Sequence, residues 1–223
     1  MSRLFVVGTP IGNLEDVSAR ALRVLSEVGA IAAEDTRVTA RLLARHQIRK
    51  PLISYRAPVE RRGLPRVMDA LEVGDVALVS DAGTPTLSDP GAALVNAAWA
   101  AGHTVIPIPG PSAIAAALSV AGAMGPGFTF LGYLPRKPGE MRRLMQSLEQ
   151  DPRPAVAFES PFRIRKSLGL IAEVLPDRPV TLARELTKMH EQVIRGTAIE
   201  VGATLGDKVR GEITLVIGGS THD

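Results

Sequence analysis

The chain has 223 residues, of which 45% are hydrophobic and 22% charged, a balance typical of a soluble globular protein with one large or two smaller domains. It has no cysteine, which excludes disulfides and thiolate metal sites, and its four histidines show no metal-ligand spacing, so no metal is expected. No apolar run reaches membrane-spanning length and no signal-peptide pattern is present, so a cytoplasmic protein without membrane contact is expected. The net charge of +3 is only mildly basic, so any nucleic-acid binding must come from clustered cations.

Short apolar strands alternate with helical patterns along the chain, which is typical of an α/β fold. In the first half, strands are predicted at 4–7, 30–33, 52–55, 76–79 and 104–108. Helices are predicted there at 18–28, 38–46, 60–71, 92–101 and 112–121, with Ser18 and Ser112 as N-terminal caps. In the second half, strands are predicted at 128–131, 155–158, 180–183, 192–196 and 213–217, and helices at 139–148 and 162–175.

A break in this pattern predicts the domain organisation. The segment 122–127 contains three glycines and one proline in six residues, which is typical of a linker. The sequence therefore predicts two α/β domains, 1–122 and 127–223.

The most informative segment is the loop at 80–91, which joins an apolar strand to a helix. Its twelve residues exceed what a simple turn needs, and they include two glycines, two prolines and two aspartates but no lysine or arginine. Ligands bind at the carboxyl ends of strands in α/β sheets. Two carboxylates would repel a phosphate, so the loop suits a cation or a ligand that offers ribose hydroxyls. For Asp89, a cap on the next helix is the alternative.

Two further loops rich in glycine and proline follow strands of the same predicted sheet. The loop at 8–12 has neither the dinucleotide fingerprint nor the Walker spacing, and alone it indicates only a tight turn. In the loop at 109–113, a helix cap at Ser112 is compatible with ligand contact, because the free N–H groups of a helix start are donors. Three such loops after three strands predict a shared pocket at one edge of the sheet.

Polar residues also follow strands at 33–37 and 183–188. The sequence Ala33-Glu-Asp-Thr-Arg37 fits a catalytic or substrate-binding cluster, and it fits equally well the preference of helix N-termini for acids. The sequence Ala183-Arg-Glu-Leu-Thr-Lys188 could face the same cleft. Gly211-Glu212, before the last strand, is typical of an ordinary turn.

Cations cluster in three places. One cluster consists of Arg136, Lys137, Arg142 and Arg143, and the others lie at 61–66 and 163–166. Each could be a solvated helix face, but several clusters in a chain of modest net charge favour one basic surface for a phosphate backbone. With one Trp, two Tyr and five Phe, the composition gives little support to a base-stacking surface.

Taken together, these motifs resemble the tetrapyrrole methylase superfamily, the class III S-adenosylmethionine-dependent methyltransferases, and within it the members that modify ribosomal RNA. The matching segments span nearly the whole chain in order, at 7–14, 33–37, 80–85, 89–91, 109–113, 130–135, 158–161, 183–188 and 211–214. Many members carry a further helical segment after the last strand, which this sequence does not contain.

The resemblance implies two α/β domains with S-adenosylmethionine in the cleft between them, usually in a homodimer. It implies 2′-O-methylation of a cytidine ribose in the decoding region of 16S rRNA, with the small ribosomal subunit as partner. A sulfonium cation tolerates acidic neighbours, which agrees with the charge of the loop at 80–91. The expected cofactor-binding residues are Pro10, Ser80, Asp81, Ala82, Gly83, Thr84, Pro85, Asp89, Ser112, Ala113, Leu131, Ala183, Gly211, Glu212 and Ile213.

The implied reaction is an in-line displacement, for which a base would help because a ribose hydroxyl is a weak acid. Glu34, Asp35 and Glu185 are the candidates for this base, and Lys188 is a candidate for stabilising developing oxyanion charge. The residues expected to contact RNA are Arg37, Arg136, Lys137, Arg142 and Arg143. The alternatives are a methylase of a tetrapyrrole or of a modified protein side chain, and a non-catalytic ribosome-binding factor.

Overall fold

The computed structural model of the chain describes residues 1–56, 60–122 and 125–220, with the backbone alone for residues 60–62. The chain divides into two compact units, Met1–Ser112 and Ala113–Asp223. Within the described residues, no helix is both long and apolar enough to cross a membrane.

The first unit is built on a parallel five-stranded sheet. Its strands are β1 (Arg3–Val7), β2 (Ala30–Ala33), β3 (Leu52–Ser54), β4 (Val76–Val79) and β5 (Thr104–Ile108). Its helices are α1 (Ala19–Glu27), α2 (Thr36–Arg45), α3 (Glu60–Val73) and α4 (Ala92–Ala100), with a short 3₁₀ turn at Leu14–Asp16. The strand order is β3-β2-β4-β1-β5, and every pair is parallel. The loops that follow β2, β4, β1 and β5 are therefore neighbours along one edge.

Both faces of this sheet are covered, which explains why its central strands are apolar throughout. All four residues of β2 and all four of β4 are buried. On one face, Phe5 and Val7 belong to a cluster with Val24 and Leu25 of α1. On the other face, a second cluster joins the sheet to α3 and α4.

The second unit is built on a mixed five-stranded sheet. Its elements are α5 (Ala113–Ala121), β6 (Thr129–Tyr133), α6 (Pro138–Ser147), β7 (Ala155–Glu159), α7 (Ile164–Val174), β8 (Pro179–Arg184), β9 (Gln192–Thr197), α8 (Ala198–Thr204) and β10 (Ile213–Ile217). The strand order is β6-β7-β10-β8-β9. The β6–β7 pair is parallel and the other pairs are antiparallel. Consequently the carboxyl ends of β6, β7 and β8 share one edge with the start of β10.

The α/β fold class is confirmed, and the ten predicted strands are all present within about two residues of their expected bounds. Two helices differ from expectation. Helix α2 begins earlier, because the side chain of Asp35 caps its first turn. Helix α8 was missed because it has only seven residues, although Thr197 and Glu200 form a capping box at its start.

The division between the units also differs from the expected linker. Helix α5, which the sequence placed in the first domain, belongs to the second unit. Its apolar residues Ile114, Ala117 and Ala121 pack in one cluster with residues of β7, β8 and β10. Within the expected linker at 122–127, Ala123 and Met124 lie outside the described residues.

Candidate functional site

In the first unit, the loops after β1 and β5 lie in backbone contact. The Gly8 N–H donates to the Ile108 carbonyl at 3.0 Å. A Cβ atom on Gly8 would lie 2.8 Å from the Gly110 Cα, and one on Gly110 would lie 2.6 Å from the Gly8 carbonyl oxygen. Side chains do not fit at such distances, so this approach requires glycine at both positions.

The loops after β1 and β4 are joined by an isolated bridge. The Thr9 N–H donates to the Gly83 carbonyl at 2.8 Å, and the Gly83 N–H donates to the Thr9 carbonyl at 3.1 Å. The Thr9 hydroxyl also donates to the Ser80 carbonyl at 3.2 Å. Gly83 has a φ of +73°, which favours glycine. The sequence analysis missed Thr9, whose only signal was its position between Gly8 and Pro10.

The loop at 80–91 has an internal structure of its own. Gly91, with a φ of +135°, is the N-cap residue of α4, so the alternative role of Asp89 as that cap is wrong. The Asp89 carboxyl instead accepts a hydrogen bond from the Ser80 side chain. Burial raises the pKa of Asp89, and the nearby Asp81 charge adds to this, while the Ser80 hydrogen bond opposes it.

The acidic residues after β2 and β4 contact each other directly, because these strands are neighbours. The Asp35 N–H donates to Asp81 Oδ1 at 2.9 Å, and the Asp81 N–H donates to Glu34 Oε2 at 3.2 Å. Burial raises the pKa of Glu34. The hydrogen bond from the Asp81 N–H, the next largest effect, lowers this pKa, and the smaller effects of the Asp89, Asp81 and Asp35 charges raise it.

Asp35 has a different environment from its neighbour Glu34. Its carboxylate is the N-cap of α2 and accepts the Arg37 N–H at 2.8 Å. The Arg37 guanidinium binds the same carboxylate, with Nε at 3.0 Å from Oδ1. These hydrogen bonds hold the pKa of Asp35 well below its usual range. The helix-start interpretation, left open by the sequence, therefore describes Asp35.

Other expected cofactor-binding residues of the first unit lie in the same loops. Pro10 is buried beside the Thr9–Gly83 bridge. The remaining residues of the loop after β4 are Ala82, Thr84 and Pro85. Ser112 ends the first unit, and Ala113, the first residue of α5, begins the second.

In the second unit, a separate polar cluster lies where β8 ends and β10 begins. The Glu185 N–H donates to the Glu212 carbonyl at 2.9 Å, and the Glu212 N–H donates to Glu185 Oε1 at 2.9 Å. Lys188 Nζ lies 2.9 Å from Glu185 Oε1 and 2.8 Å from Glu212 Oε2. One ammonium group thus joins two carboxylates that the sequence places 27 residues apart.

This cluster fixes the charge of its members. The Glu212 N–H, and then Lys188, hold the pKa of Glu185 below its usual range. Burial alone would lower the pKa of Lys188, but its bonds to Glu212 and Glu185 outweigh burial and raise that pKa. Both groups are therefore charged at neutral pH.

The same cluster contains strained backbone. Glu185 and Thr187 have φ angles of +52° and +67°, which are uncommon for residues other than glycine. Gly211 has a φ of +88°, and a Cβ atom there would lie 2.4 Å from the Glu185 Cδ. The turn thus places the Glu185 side chain directly over Gly211.

Three more expected cofactor-binding residues occupy strands of this sheet. Ala183 and Ile213 are almost fully buried, at 1% and 3% exposure. Leu131 is half-buried and packs against the main core of the unit. These residues lie close to the carboxyl ends of β6 and β8 and at the start of β10.

The residues expected to contact RNA divide into two groups. Arg142 forms a two-pronged ion pair with Glu173, at 2.8 and 2.9 Å, and Lys137 pairs with Glu140 at 3.1 Å. Arg136 and Arg143 are exposed, and no other described residue forms an ion pair with either. Arg37 binds Asp35, as described above.

A buried carboxylate in the second unit was missed by the sequence analysis. Glu159 ends β7 with 2% exposure and accepts the Ser160 N–H at 2.6 Å. The Arg163 guanidinium and the Ser167 hydroxyl bind the same carboxylate. Arg163 also donates to the Leu134 carbonyl at 3.2 Å, so it joins the turn after β6 to the turn after β7. Its only sequence signal was an arginine four residues after a glutamate at a strand end.

The described residues contain no group of three or more His, Cys, Asp or Glu side chains that could hold a metal ion. The loops of the first unit instead contain several carboxylates close to the backbone of their glycine residues. Such a set can bind a cation, accept hydrogen bonds from hydroxyl groups, and, at Glu34, accept a proton.

Comparison with solved structures shows the fold. The methyltransferase CobJ matches with a TM-score of 0.71 at 19% identity, over 99% of this chain and 95% of that protein. Diphthine synthase matches with a TM-score of 0.71 at 15% identity, over 99% of this chain and 92% of that protein.

Comparison with curated sequences gives much higher identity. Proteins named Ribosomal RNA small subunit methyltransferase I match nearly the whole chain. The one from Thermotoga maritima is 45% identical over 98% of this chain and 99% of its own length. The one from Bacillus subtilis is 41% identical over 100% of this chain and 77% of its own length. Residues 3–202 also match the family model of the Tetrapyrrole (Corrin/Porphyrin) Methylases, and the chain therefore belongs to the tetrapyrrole methylase family.

Proposed function

We propose that this chain is an S-adenosylmethionine-dependent methyltransferase that methylates the 2′-oxygen of a cytidine ribose in the decoding region of 16S rRNA. The observation that carries the proposal is the 45% identity to the Thermotoga maritima ribosomal RNA methyltransferase, which extends over almost all of both chains. Methylation of a tetrapyrrole is not favoured, because a uroporphyrin III C-methyltransferase from Thermus thermophilus shares the fold at only 16% identity. A non-catalytic ribosome-binding factor is not favoured either, since the similar proteins are named as methyltransferases.

The first-unit loops fit a sulfonium cofactor. Gly8 and Gly110 bring two loop backbones together, and Gly83 fixes the third loop against them. Asp81 and Asp89 add carboxylates, which attract a cation and accept hydrogen bonds from ribose hydroxyls. We assign the cofactor to these loops, from Pro10 to Ser112. The family resemblance also expects cofactor contacts from Ala113, Leu131, Ala183 and 211–213, and their roles stay predictions.

Among the three candidate bases, we assign proton abstraction to Glu34. Its pKa is raised, so its carboxylate is a stronger base than that of an ordinary glutamate. The pKa values of Asp35 and Glu185 are lowered, and their carboxylates are held by Arg37 and Lys188 respectively. A carboxylate whose charge is already neutralised by a bound cation is a poor proton acceptor.

Each group then has a defined part in the reaction. When bound, the cofactor supplies an electrophilic methyl carbon on a good leaving group. Glu34 would accept the proton of the ribose hydroxyl, and the loops would orient the ribose oxygen for in-line attack. We assign Lys188 to positioning, because its ammonium group already binds two carboxylates of the 185–212 turn.

The partners follow from the same proposal. Exposed Arg136 and Arg143, with Lys137 and Arg142 nearby in sequence, would bind RNA phosphates, and Arg37 would lie beside the target ribose. The substrate is then the small ribosomal subunit in the cytoplasm. The family resemblance supports a homodimer. Sedimentation of the purified protein would measure this oligomeric state.

The test uses small subunits from cells that lack this protein. The purified chain with methyl-labelled S-adenosylmethionine should label 16S rRNA, and mass spectrometry of nuclease fragments should place one methyl group on a cytidine ribose. Glu34→Gln should bind cofactor and subunits but label them roughly 10²- to 10⁴-fold more slowly than wild type. Label on the base instead of the ribose, or no label with wild-type protein, would contradict the proposal.

A further inference from the structure

Two exposed aromatic rings lie at the same edge of the second-unit sheet. Tyr133 ends β6 and is 64% exposed, and Phe162 follows β7 and is 94% exposed. The strands β6 and β7 are parallel neighbours, and Tyr133 pairs in register with Phe158. Tyr133 and Phe162 therefore leave adjacent strands at one edge.

The same edge contains the Glu185 cluster. In the antiparallel pairs, Ile213 lies opposite both Glu159 of β7 and Arg184 of β8. The end of β7 is thus two strand spacings, about 10 Å, from the end of β8. The aromatic pair therefore lies at the same edge of the sheet as Ala183 and Ile213, which the family resemblance expects at the cofactor.

The segments that carry these rings are fixed by hydrogen bonds. Arg163 joins the Glu159 carboxylate to the Leu134 carbonyl, so the residues after Tyr133 and around Phe162 are linked. The Leu134 N–H donates to the Phe158 carbonyl at 3.2 Å, and the Phe162 N–H donates to the Ser160 hydroxyl oxygen at 3.3 Å. The Tyr133 ring packs edge-on against the Phe158 ring, with centroids 5.6 Å apart, and remains largely exposed, as does Phe162. Exposed aromatic surface at one edge of the sheet suits contact with a partner.

The neighbouring charges define the chemistry of that partner. Arg136 and Lys137 follow Tyr133 by three and four residues, and both are exposed. Exposed aromatic rings beside Arg and Lys are typical of sites for single-stranded nucleic acid, where bases stack on rings and cations bind phosphates.

We propose that Tyr133 and Phe162 form a stacking surface for unpaired bases of the RNA substrate, with Arg136 and Lys137 on the adjoining phosphates. This inference rests on the proposed function for the identity of the substrate. It adds that the protein recognises the target in a single-stranded state, since bases in a duplex are stacked on each other and cannot reach a protein ring.

The test measures binding of a fluorescent single-stranded RNA oligonucleotide and of its duplex form. Phe162→Ala should weaken single-strand binding roughly 5- to 150-fold, the range for loss of one stacked base. Phe162→Trp should retain the wild-type affinity, whereas Phe162→Leu, which keeps apolar area without a π-face, should behave like Phe162→Ala. The matched control is Ile199→Ala, because Ile199 is 66% exposed and follows β9 at the opposite edge of the sheet.

Salt dependence separates stacking from charge. A double variant, Arg136→Gln with Lys137→Gln, should reduce the slope of log affinity against log salt by roughly 1.4, at about 0.7 per phosphate contact for single strands. Phe162→Ala should lower affinity with the slope unchanged. Equal single-strand affinity of Phe162→Ala and wild type would overturn the inference.

Two further results distinguish this inference from the proposed function. If Phe162→Ala converts a dimer into a monomer, and covalently linked dimers of the variant bind RNA normally, the surface is a self-interface and the inference is wrong. If Phe162→Ala loses single-strand binding while wild-type protein leaves ribosomal subunits unmethylated, the stacking surface stands and the proposed function fails. Cofactor affinity, measured by calorimetry, should be the same in every variant.

Discussion

Two glutamates at corresponding strand ends of the two units have opposite electrostatic environments. Glu34 follows β2 among three aspartates, and burial with like charges raises its pKa. Glu185 follows β8 beside Lys188, and hydrogen bonds with the neighbouring cation lower its pKa. The residue type and the position after a buried strand are the same, and the neighbours on adjacent turns make the difference.

This contrast separates a proton acceptor from a structural anion. A raised pKa means that the charged form of a carboxyl group is destabilised by its surroundings. Binding a proton removes this destabilisation. A carboxylate bound by Lys188 and a backbone N–H is stabilised as an anion and holds its turn in place. The two glutamates should therefore differ in function as their environments indicate.

The largest expected effect is on turnover in Glu34→Gln. Loss of general-base catalysis should reduce kcat by roughly 10²- to 10⁴-fold, because the amide cannot accept the ribose proton. Affinities for cofactor and RNA should stay near wild type, since the interaction is made only in the transition state. Single-turnover kinetics with ribosomal subunits measures the rate, and calorimetry measures cofactor binding.

The pH profile sharpens the same prediction. The base must be deprotonated, so wild-type activity should fall as pH decreases through the pKa of Glu34, and this acid limb should lie above the ordinary glutamate value of about 4.3. The residual activity of Glu34→Gln should lack that limb. An acid limb that persists in Glu34→Gln but vanishes in Glu185→Gln would reverse our assignment.

The next largest effect is expected at Gly211, where Glu185 occupies the space that a side chain needs. Gly211→Ala should destabilise the protein by about 1–3 kcal/mol, from left-handed backbone strain and from displacement of the Glu185 side chain. Gly206→Ala is the matched control, because a Cβ atom at Gly206 meets nothing within 4 Å. Denaturant unfolding measures both, and equal midpoints would show that the 185–212 turn is not fixed as described.

A smaller effect is expected for Glu185→Gln. The substitution removes the anion that Lys188 binds but keeps an oxygen that can accept the Glu212 N–H. The free energy of unfolding should fall by about 1.5 kcal/mol, the lower value for loss of a hydrogen bond to a charged group, and denaturant unfolding measures this change. The pH profile of kcat should keep its acid limb. A loss of kcat as large as that of Glu34→Gln would place the base in the second unit instead.

The features of this molecule that could be predicted from the sequence are those that depend on local sequence patterns. Apolar runs such as Val76–Val79 mark parallel strands that are buried on both faces, and Ser18 marks a helix start by its side-chain oxygen. The meeting of the loops after β1, β4 and β5 also followed, because parallel strands end at one edge.

The remaining features depend on pairing between distant segments. The raised pKa of Glu34 could not be predicted locally, because it arises from burial and, to a smaller degree, from Asp89 and Asp81 on another loop. The lowered pKa of Asp35 has a local cause, its hydrogen bonds with Arg37 two residues later. Glu159 is buried because Arg163 and Ser167 lie on the following turn and helix, which a strand pattern does not reveal. Helix α5 packs with the second unit through small apolar residues whose partners are far along the chain.

The smallest expected effect is on thermal stability, when either of the adjacent acids Glu34 and Asp35 is substituted. The sign of the change in Tm should differ between the two residues. The folded pKa of Asp35 is lowered, so its carboxylate stabilises the fold above the unfolded value of about 3.9, and this stability is lost as pH falls toward the folded value. Asp35→Ala, which removes the cap of α2, should lower Tm at pH 7 by roughly a few degrees, and Asp35→Asn, which keeps a capping oxygen, by less. Both differences should shrink below about pH 4.

The contribution of Glu34 to folding stability should change with pH in the opposite direction. Its folded pKa is raised, so its contribution to stability is present below the unfolded pKa and is lost as pH rises through the folded pKa. Glu34→Gln should therefore match or slightly exceed the wild-type Tm at pH 7, while it abolishes most turnover. Melting curves at pH 4 and pH 7 for the three variants measure both signs. A Glu34→Gln protein less stable than Asp35→Ala at pH 7 would mean that Glu34 holds the loops together as an anion, and the comparison with Glu185 would then lose its basis.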